Sequence, residues 1–293
     1  MHPFEIPLCR AVDQLIELAI AEDIGHGDIT TEPLGLGLAA GQARIVANEP
    51  LVIAGLDAVR RVYEKLGCNI SFQARVEEGA WVAPQGVVAE LKSDMQSLLL
   101  GERIALNFLQ RISGIATHVR TYVDTLPESA IRLTDTRKTV PGWRALEKYA
   151  VRVGGACNHR MGLYDGVLIK DNHIAACGGI ASAVQRVRSR VSHLIRIEVE
   201  TENLQQVEAA LAEGADVIML DNMTPEMIAE AVEIIGGKAA VEVSGRVDRE
   251  QLERLSSLGV DVISSGALTH AARFVDLSMC MASLKQGAPG TGP

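Results

Sequence analysis

The residues whose types could do chemistry fall in seven short clusters. They are Asp135-Thr136-Arg137-Lys138-Thr139, Asn158-His159-Arg160, Lys170-Asp171-Asn172-His173, Glu198 with Glu200, Asp221-Asn222, Ser244-Gly245-Arg246 and Ser264-Ser265-Gly266-Ala267. The first three supply cations. Arginine binds carboxylates bidentately and lysine acts as a point charge, so this set suits a substrate with carboxylate groups. The next two supply carboxylates, and a pair on neighbouring elements suits Mg2+, which prefers oxygen ligands and phosphate-bearing substrates. The Ser-Gly clusters offer hydroxyls and backbone N–H groups, which suit a phosphate monoester. A site built from all of them would hold a sugar phosphate, a metal-bound polyphosphate and a carboxylate-bearing acceptor.

Charge distribution points the same way. From Arg132 to Lys170 eight Lys/Arg face three acids, a local +5 inside a chain of net charge −9. Each cluster alone has a plainer explanation. Asp221 could help cap a helix, Ser-Gly is common turn chemistry, and His159 or His173 could be hydrogen-bonded loop residues. Glu198, Glu200 and Glu202 are not all expected to reach a pocket. The functional reading rests on the clusters occurring together, six at strand ends and Asn158-His159-Arg160 just before the second strand.

Those strand ends come from a regular pattern in the second half of the chain. Short strand-like runs occur at Ile131–Thr136, Gly166–Lys170, Leu194–Glu200, Asp216–Asp221, Ala239–Ser244 and Val260–Ser264, with helical segments between them. This β-α rhythm predicts an incomplete, TIM-like α/β barrel of about six strands, whose active site forms at the carboxyl ends of the strands. An open doubly wound sheet is the competing architecture, but no GxGxxG follows a strand. The first half reads as a separate, sandwich-like α/β domain. Helical spacing is evident at Cys9–Asp23, strands at Gln42–Ala54 and Ile70–Lys92, and a helix at Gly55–Leu66. A long helix then runs from about Ser93 to about Leu126, with Ile104, Phe108, Ile112, Ile115 and Val119 as its apolar stripe. A second stripe, Arg103, Asn107, Gln110, Gly114 and Thr117, reads either as a wet face or as one that lines a cleft or meets another subunit. The expected division is residues 1–128, 129–285 and a Gly/Pro-rich tail at 286–293.

Composition excludes several classes. The chain has 293 residues, 47% of them hydrophobic and 22% charged, so it is not a disordered protein. Its acidic balance does not favour nonspecific nucleic-acid binding, and no apolar run is long enough to cross a bilayer. Five scattered cysteines without a CxxC pair argue against a disulfide framework or structural zinc. With no signal peptide evident, a cytoplasmic location is expected.

Three blocks then carry a specific resemblance: Asp135 to Gly142 (DTRKTVPG), Gly154 to Leu163 (GGACNHRMGL) and Leu168 to His173 (LIKDNH). Together with Glu22-Asp23, Gly27 to Thr31, Gly101-Glu102-Arg103, Leu106-Asn107, Met219 to Asn222 and Ser265 to His270, they closely resemble the quinolinate phosphoribosyltransferases. The resemblance covers nearly the whole chain. It implies transfer of phosphoribose from phosphoribosyl pyrophosphate to quinolinate with decarboxylation, Mg2+ as cofactor, and a homodimer or larger assembly in which a neighbouring chain completes each active site. By motif, Arg137, His159, Arg160 and Lys170 would surround quinolinate, with Lys138 bridging to the donor and Arg103 reaching in from the neighbouring chain. Glu200 and Asp221 would face the ribose and the Mg2+-pyrophosphate. Ser244, Gly245, Ser265, Gly266 and His270 would hold the 5-phosphate, and Thr136, Arg246 and Ala267 stand in the same binding clusters. Lys138, Lys170, Glu200 and Asp221 are the expected catalytic set. A phosphoribosyltransferase for nicotinate or a related ring acid, a barrel lyase using Lys138 or Lys170 as an imine, and a non-catalytic metabolite-binding protein are the alternatives.

Overall fold

The computed structural model describes residues 9–36, 39–126, 131–245 and 247–281. The chain forms two compact units, Met1–Thr117 with Arg273–Pro293, and His118–Ala272. The elements of the first are α1 (Arg10–Ile24), β1 (Ala40–Ala47), β2 (Leu51–Val52), α2 (Leu56–Lys65), β3 (Ser71–Ala74), β4 (Trp81–Val82), β5 (Val87–Asp94) and most of α3 (Met95–Val123). Those of the second are β6 (Arg132–Thr134), α4 (Arg144–Val153), β7 (Val167–Ile169), α5 (Asp171–Cys177), α6 (Ile180–Arg188), β8 (Ile197–Thr201), α7 (Leu204–Ala212), β9 (Val217–Asp221), α8 (Pro225–Ile235), β10 (Ala240–Ser244), α9 (Arg249–Ser256), β11 (Val262–Ser264) and α10 (Ala267–His270). The last strand, β12 (Leu277–Met281), returns to the first unit.

The first unit is an antiparallel sheet in the order β12-β1-β5-β3, with the β2–β4 pair apart from it. Along β1, Ala43, Ile45 and Ala47 are buried and alternate with more exposed residues, the period of a strand with one covered face. β12 pairs antiparallel with β1, Ala43 opposite Met281. This corrects the division expected from sequence, which placed residues up to 285 with the barrel. A strand as short as β12 carries no sign in its own residues of which sheet it will join. The polar stripe of α3 is also partly used within this unit. The Gln110 amide donates to Leu277 O at 2.8 Å, and Thr117 Oγ1 accepts the Val52 N–H at 2.9 Å. Arg103 and Asn107 are exposed.

The second unit is a six-stranded sheet in the order β6-β11-β10-β9-β8-β7, parallel throughout, with β6 and β7 as its two edges. That is the incomplete barrel. The central strands β8, β9 and β10 are buried along most of their length, as strands covered on both faces must be. Helix starts are specified locally. Thr224 accepts the Met227 N–H ahead of Pro225, and Asp248 forms a capping box with Gln251. Arg246 and the expected tail at 286–293 lie outside the described residues.

Candidate active site

The carboxyl ends of β6 to β11 surround a cavity of about 860 Å3. Its cationic side carries Arg137, Lys138, Arg160 and Lys170; Glu200 and Asp221 face them from β8 and β9. In the β8–β9 register Glu200 lies opposite Met219, two residues before Asp221. Period-two alternation therefore turns Glu200, Met219 and Asp221 to one face, and all three line the cavity. Glu198 shares that face of β8 but lies deeper, buried in the barrel interior, whereas Glu202 is past the strand end and exposed.

The cations are held at different distances from protein partners. Lys170 Nζ is ion-paired with Glu200 Oε2. Arg160 Nη1 donates to Gly166 O at 3.0 Å. Burial, and then the neighbouring Arg137 charge, lower the Arg160 guanidinium from its ordinary value. Two cations that disfavour each other in a partly desolvated wall favour an anion between them. Two neighbouring basic side chains are structural. Arg144 ties Thr139 Oγ1 to Met161 O, and His173 Nδ1 accepts the Lys170 N–H at the start of α5.

Beneath this wall, a buried polar network sets the backbone. Asp135 and Lys148 have side chains 0% and 1% exposed and meet at 2.5 Å. Asp135 also accepts from Asn158 Nδ2 at 2.7 Å and the His159 N–H at 2.9 Å, and Lys148 donates to His159 O at 2.9 Å. Three charge-assisted bonds thus fix Asn158 and His159 to the Asp135–Lys148 pair after β6, which presents the adjoining Arg160 to the cavity.

His159 turns inward. Its Nε2 lies 3.3 Å from Glu198 Oε2 and 3.4 Å from Glu242 Oε1, and its Nδ1 accepts the Arg160 N–H at 2.8 Å. Burial disfavours a charged imidazole, and the two carboxylates reverse that and raise it. Burial, with Glu242 adding to it, also pushes the Glu198 carboxyl up. The cluster therefore retains an extra proton at neutral pH.

The opposite wall is built of small residues. A Cβ on Gly266 would stand 2.7 Å from Lys138 Cδ and 3.3 Å from the His270 ring, so the lysine stem crosses directly over this glycine. Thr269 Oγ1 donates to Lys138 O at 2.7 Å and pins the same crossing. Lys138 therefore stands between the anion-binding cations and the Ser-Gly strand ends.

Of the residues singled out from sequence, Thr136, Arg137, Lys138, His159, Arg160, Lys170, Glu200, Asp221, Ser244, Gly245, Ser265, Gly266, Ala267 and His270 all line this cavity. Arg103 belongs to the other unit and is exposed on α3. Tyr122, Leu168, Met219, Asn222, Val247, Asp248 and Ser264 line it as well and were not among the expected site residues. Asn222 and Ser264 had a signal, since each stands in a chemically marked cluster; the apolar residues had none, because a cavity wall and a core look alike in sequence.

No helix among the described residues is long and apolar enough to cross a membrane. Comparison with known proteins accounts for nearly the whole chain. The family models described as quinolinate phosphoribosyl transferase, N-terminal and C-terminal domains, match residues 28–113 and 115–280. A probable nicotinate-nucleotide pyrophosphorylase [carboxylating] of Synechocystis is 46% identical over 94% of both chains. A Bacillus subtilis protein of the same description is 42% identical over 91% of this chain and 92% of its own. The solved nicotinate-nucleotide pyrophosphorylase of Francisella tularensis superposes with a TM-score of 0.90 at 39% identity, covering 96% of this chain and 99% of that one. The chain belongs to the quinolinate phosphoribosyltransferase family.

Proposed function

We infer that the chain transfers the phosphoribosyl group of phosphoribosyl pyrophosphate to quinolinate. The products are nicotinate mononucleotide, pyrophosphate and CO2, and the step feeds quinolinate into NAD biosynthesis. The observation that carries this reading is the division of one cavity. Arg137, Arg160, Lys138 and Lys170 line one side, and paired carboxylates with Ser-Gly strand ends line the other. Arg137 and Arg160, with Lys170, take the two ring carboxylates. Ser244, Gly245, Ser265, Gly266, Ala267 and His270 take the 5-phosphate. Lys138, which crosses Gly266, reaches the pyrophosphate.

The bond from the anomeric carbon to pyrophosphate breaks as the pyridine nitrogen bonds to that carbon. Glu200 and Asp221 balance the positive charge that develops there, and Lys138 the negative charge that leaves. The ring, now cationic, accepts the electron pair of the C2–carboxylate bond as CO2 departs, and C2 then takes a proton. Asp221 and Glu200 fit Mg2+: both are oxygen donors on adjacent strands facing one way, beside the phosphate wall. When bound, the ion supplies charge neutralisation for the leaving pyrophosphate. The Lys170–Glu200 ion pair weighs against an imine role, since nucleophilic lysines sit in apolar pockets or beside other cations. Arg103, exposed on α3, completes the site of a second copy in a homodimer. The protein acts in the cytoplasm.

The test is to combine the protein with quinolinate, phosphoribosyl pyrophosphate and Mg2+, and to measure CO2 and nicotinate mononucleotide together. Matched, donor-dependent release of both, with little product from nicotinate, is the expected result. Faster turnover of nicotinate would replace the two-carboxylate reading with the single-carboxylate one. Absence of product from either acid would point to a binding protein.

A further inference from the structure

Asn222 has a feature that nothing in the proposed chemistry uses. It directly follows β9 and has φ +54°, a left-handed backbone shared among the described non-glycine residues only with Gln85. Asparagine tolerates this region better than most side chains. The turn lets the Asn222 N–H donate to Ser244 O at 3.0 Å, which continues the β9–β10 ladder one residue beyond the Asp221–Ser244 pair. It also folds the side chain back, so that Nδ2 donates to Asp221 Oδ2 at 2.7 Å. The other end of the amide closes against the phosphate wall. A Cβ on Gly245 would stand 2.9 Å from Asn222 Oδ1, and Gly245 itself has φ +144°.

We propose that Asn222 is a positioning residue that fixes the Asp221 carboxylate and holds it in register with the Ser244–Gly245 end of β10. This rests on the reading that Asp221 faces the phosphoribosyl donor. The physical basis is geometric. A carboxylate at a strand end rotates freely about its last bond. A donor on Oδ2 stops that rotation and leaves Oδ1 open towards the cavity. The same amide touches Gly245, so the residue that faces the sugar and the loop that takes its phosphate are set by one side chain. Such a device acts on the donor and leaves quinolinate recognition, on the far wall, untouched.

Two substitutions separate the amide from the backbone. Asn222→Gly keeps the left-handed turn and removes the amide. Asn222→Asp keeps the shape and replaces the donor with a second carboxylate. Steady-state rates would be measured with each substrate varied in turn, alongside thermal midpoints and Asp221→Asn as a reference. Asn222→Gly should lose roughly 10- to 100-fold in kcat/KM for phosphoribosyl pyrophosphate, the worth of one hydrogen bond to a charged group. Its KM for quinolinate should stay within about twofold, and Asn222→Asp should lose more than Asn222→Gly. Wild-type kinetics in Asn222→Gly or Asn222→Asp, with Asp221→Asn impaired, would overturn the positioning role alone. An equal loss for both substrates accompanied by a lower midpoint would reduce Asn222 to a structural residue and also overturn it. An unimpaired Asp221→Asn would instead remove the donor-facing reading of Asp221.

Discussion

Lys148 and Asp135 form an ion pair at 2.5 Å with both side chains withdrawn from solvent, one residue layer beneath the cavity they never line. They do the work of a hinge pin. Asp135 directly follows β6 and Lys148 belongs to α4, and both bind the backbone of His159. Catalytic geometry here depends on charges that a substrate does not meet.

Removing one partner of that pair should show it. Lys148→Met leaves Asp135 buried without its cation, and breaking a buried pair on one side costs about 3–5 kcal/mol. Urea unfolding should record a loss of that size, and the residual folded enzyme should bind quinolinate weakly because Arg160 is no longer presented. A variant as stable as the parent would show that the pair is dispensable.

The cavity cations should behave differently. Lys138→Ala and Arg160→Ala lie on the cavity wall and should keep the fold while turnover drops on the order of 10²–10³-fold. Arg160→Lys should not recover it, since a lysine cannot reproduce the bond to Gly166 O while offering a planar fork to a carboxylate. Thermal midpoints near that of the parent, together with lost activity, are the expected pattern. Near-parental turnover in both alanine variants would show that these cations are not the binding wall.

The proposed homodimer, with Arg103 completing the neighbouring site, is tested by complementation. Arg103→Ala and Lys138→Ala chains should each be nearly inactive alone. After mixing and subunit exchange, half the dimers are mixed and each has one intact site, so about a quarter of the parental activity should return. No recovery in a mixture shown to exchange would place Arg103 outside the neighbouring site.

Strong acid should loosen α1. Asp13 is bound to Arg61 at 2.7 and 2.8 Å, and that hydrogen bond, opposed by burial and helped by Lys65, lowers the carboxyl from 3.8 to about 2. A carboxyl depressed in the folded state stabilises the fold above its unperturbed value and loses that contribution as pH falls through the folded one. Asp13→Asn should therefore flatten the stability change between pH 3.8 and about 2. At neutral pH it should cost about 1 kcal/mol, because both side chains still reach solvent, which screens the pair. Unchanged acid unfolding profiles would assign the acid sensitivity elsewhere.

The sequence by itself determined the β-α rhythm, the six strands and the chemistry at each strand end. These are local properties: apolar runs of strand length, helix caps such as Thr224-Pro225, and reactive residues placed where a strand must stop. Parallel strands deliver their ends to one rim, so the residues at those ends meet without further specification. The tertiary structure decided what depends on partners distant in the chain. It sent β12 to β1 rather than to the barrel, because strand pairing is settled by the sheet edge available and not by five residues of sequence. It sorted the basic stretch into cavity cations and buried struts, Arg160 from Lys148, which look identical in a charge count. It turned His159 towards Glu198 and Glu242, which lie far from it in the chain, and set Asn222 against Asp221 by a left-handed turn that the Asn222 N–H to Ser244 O bond across strands fixes.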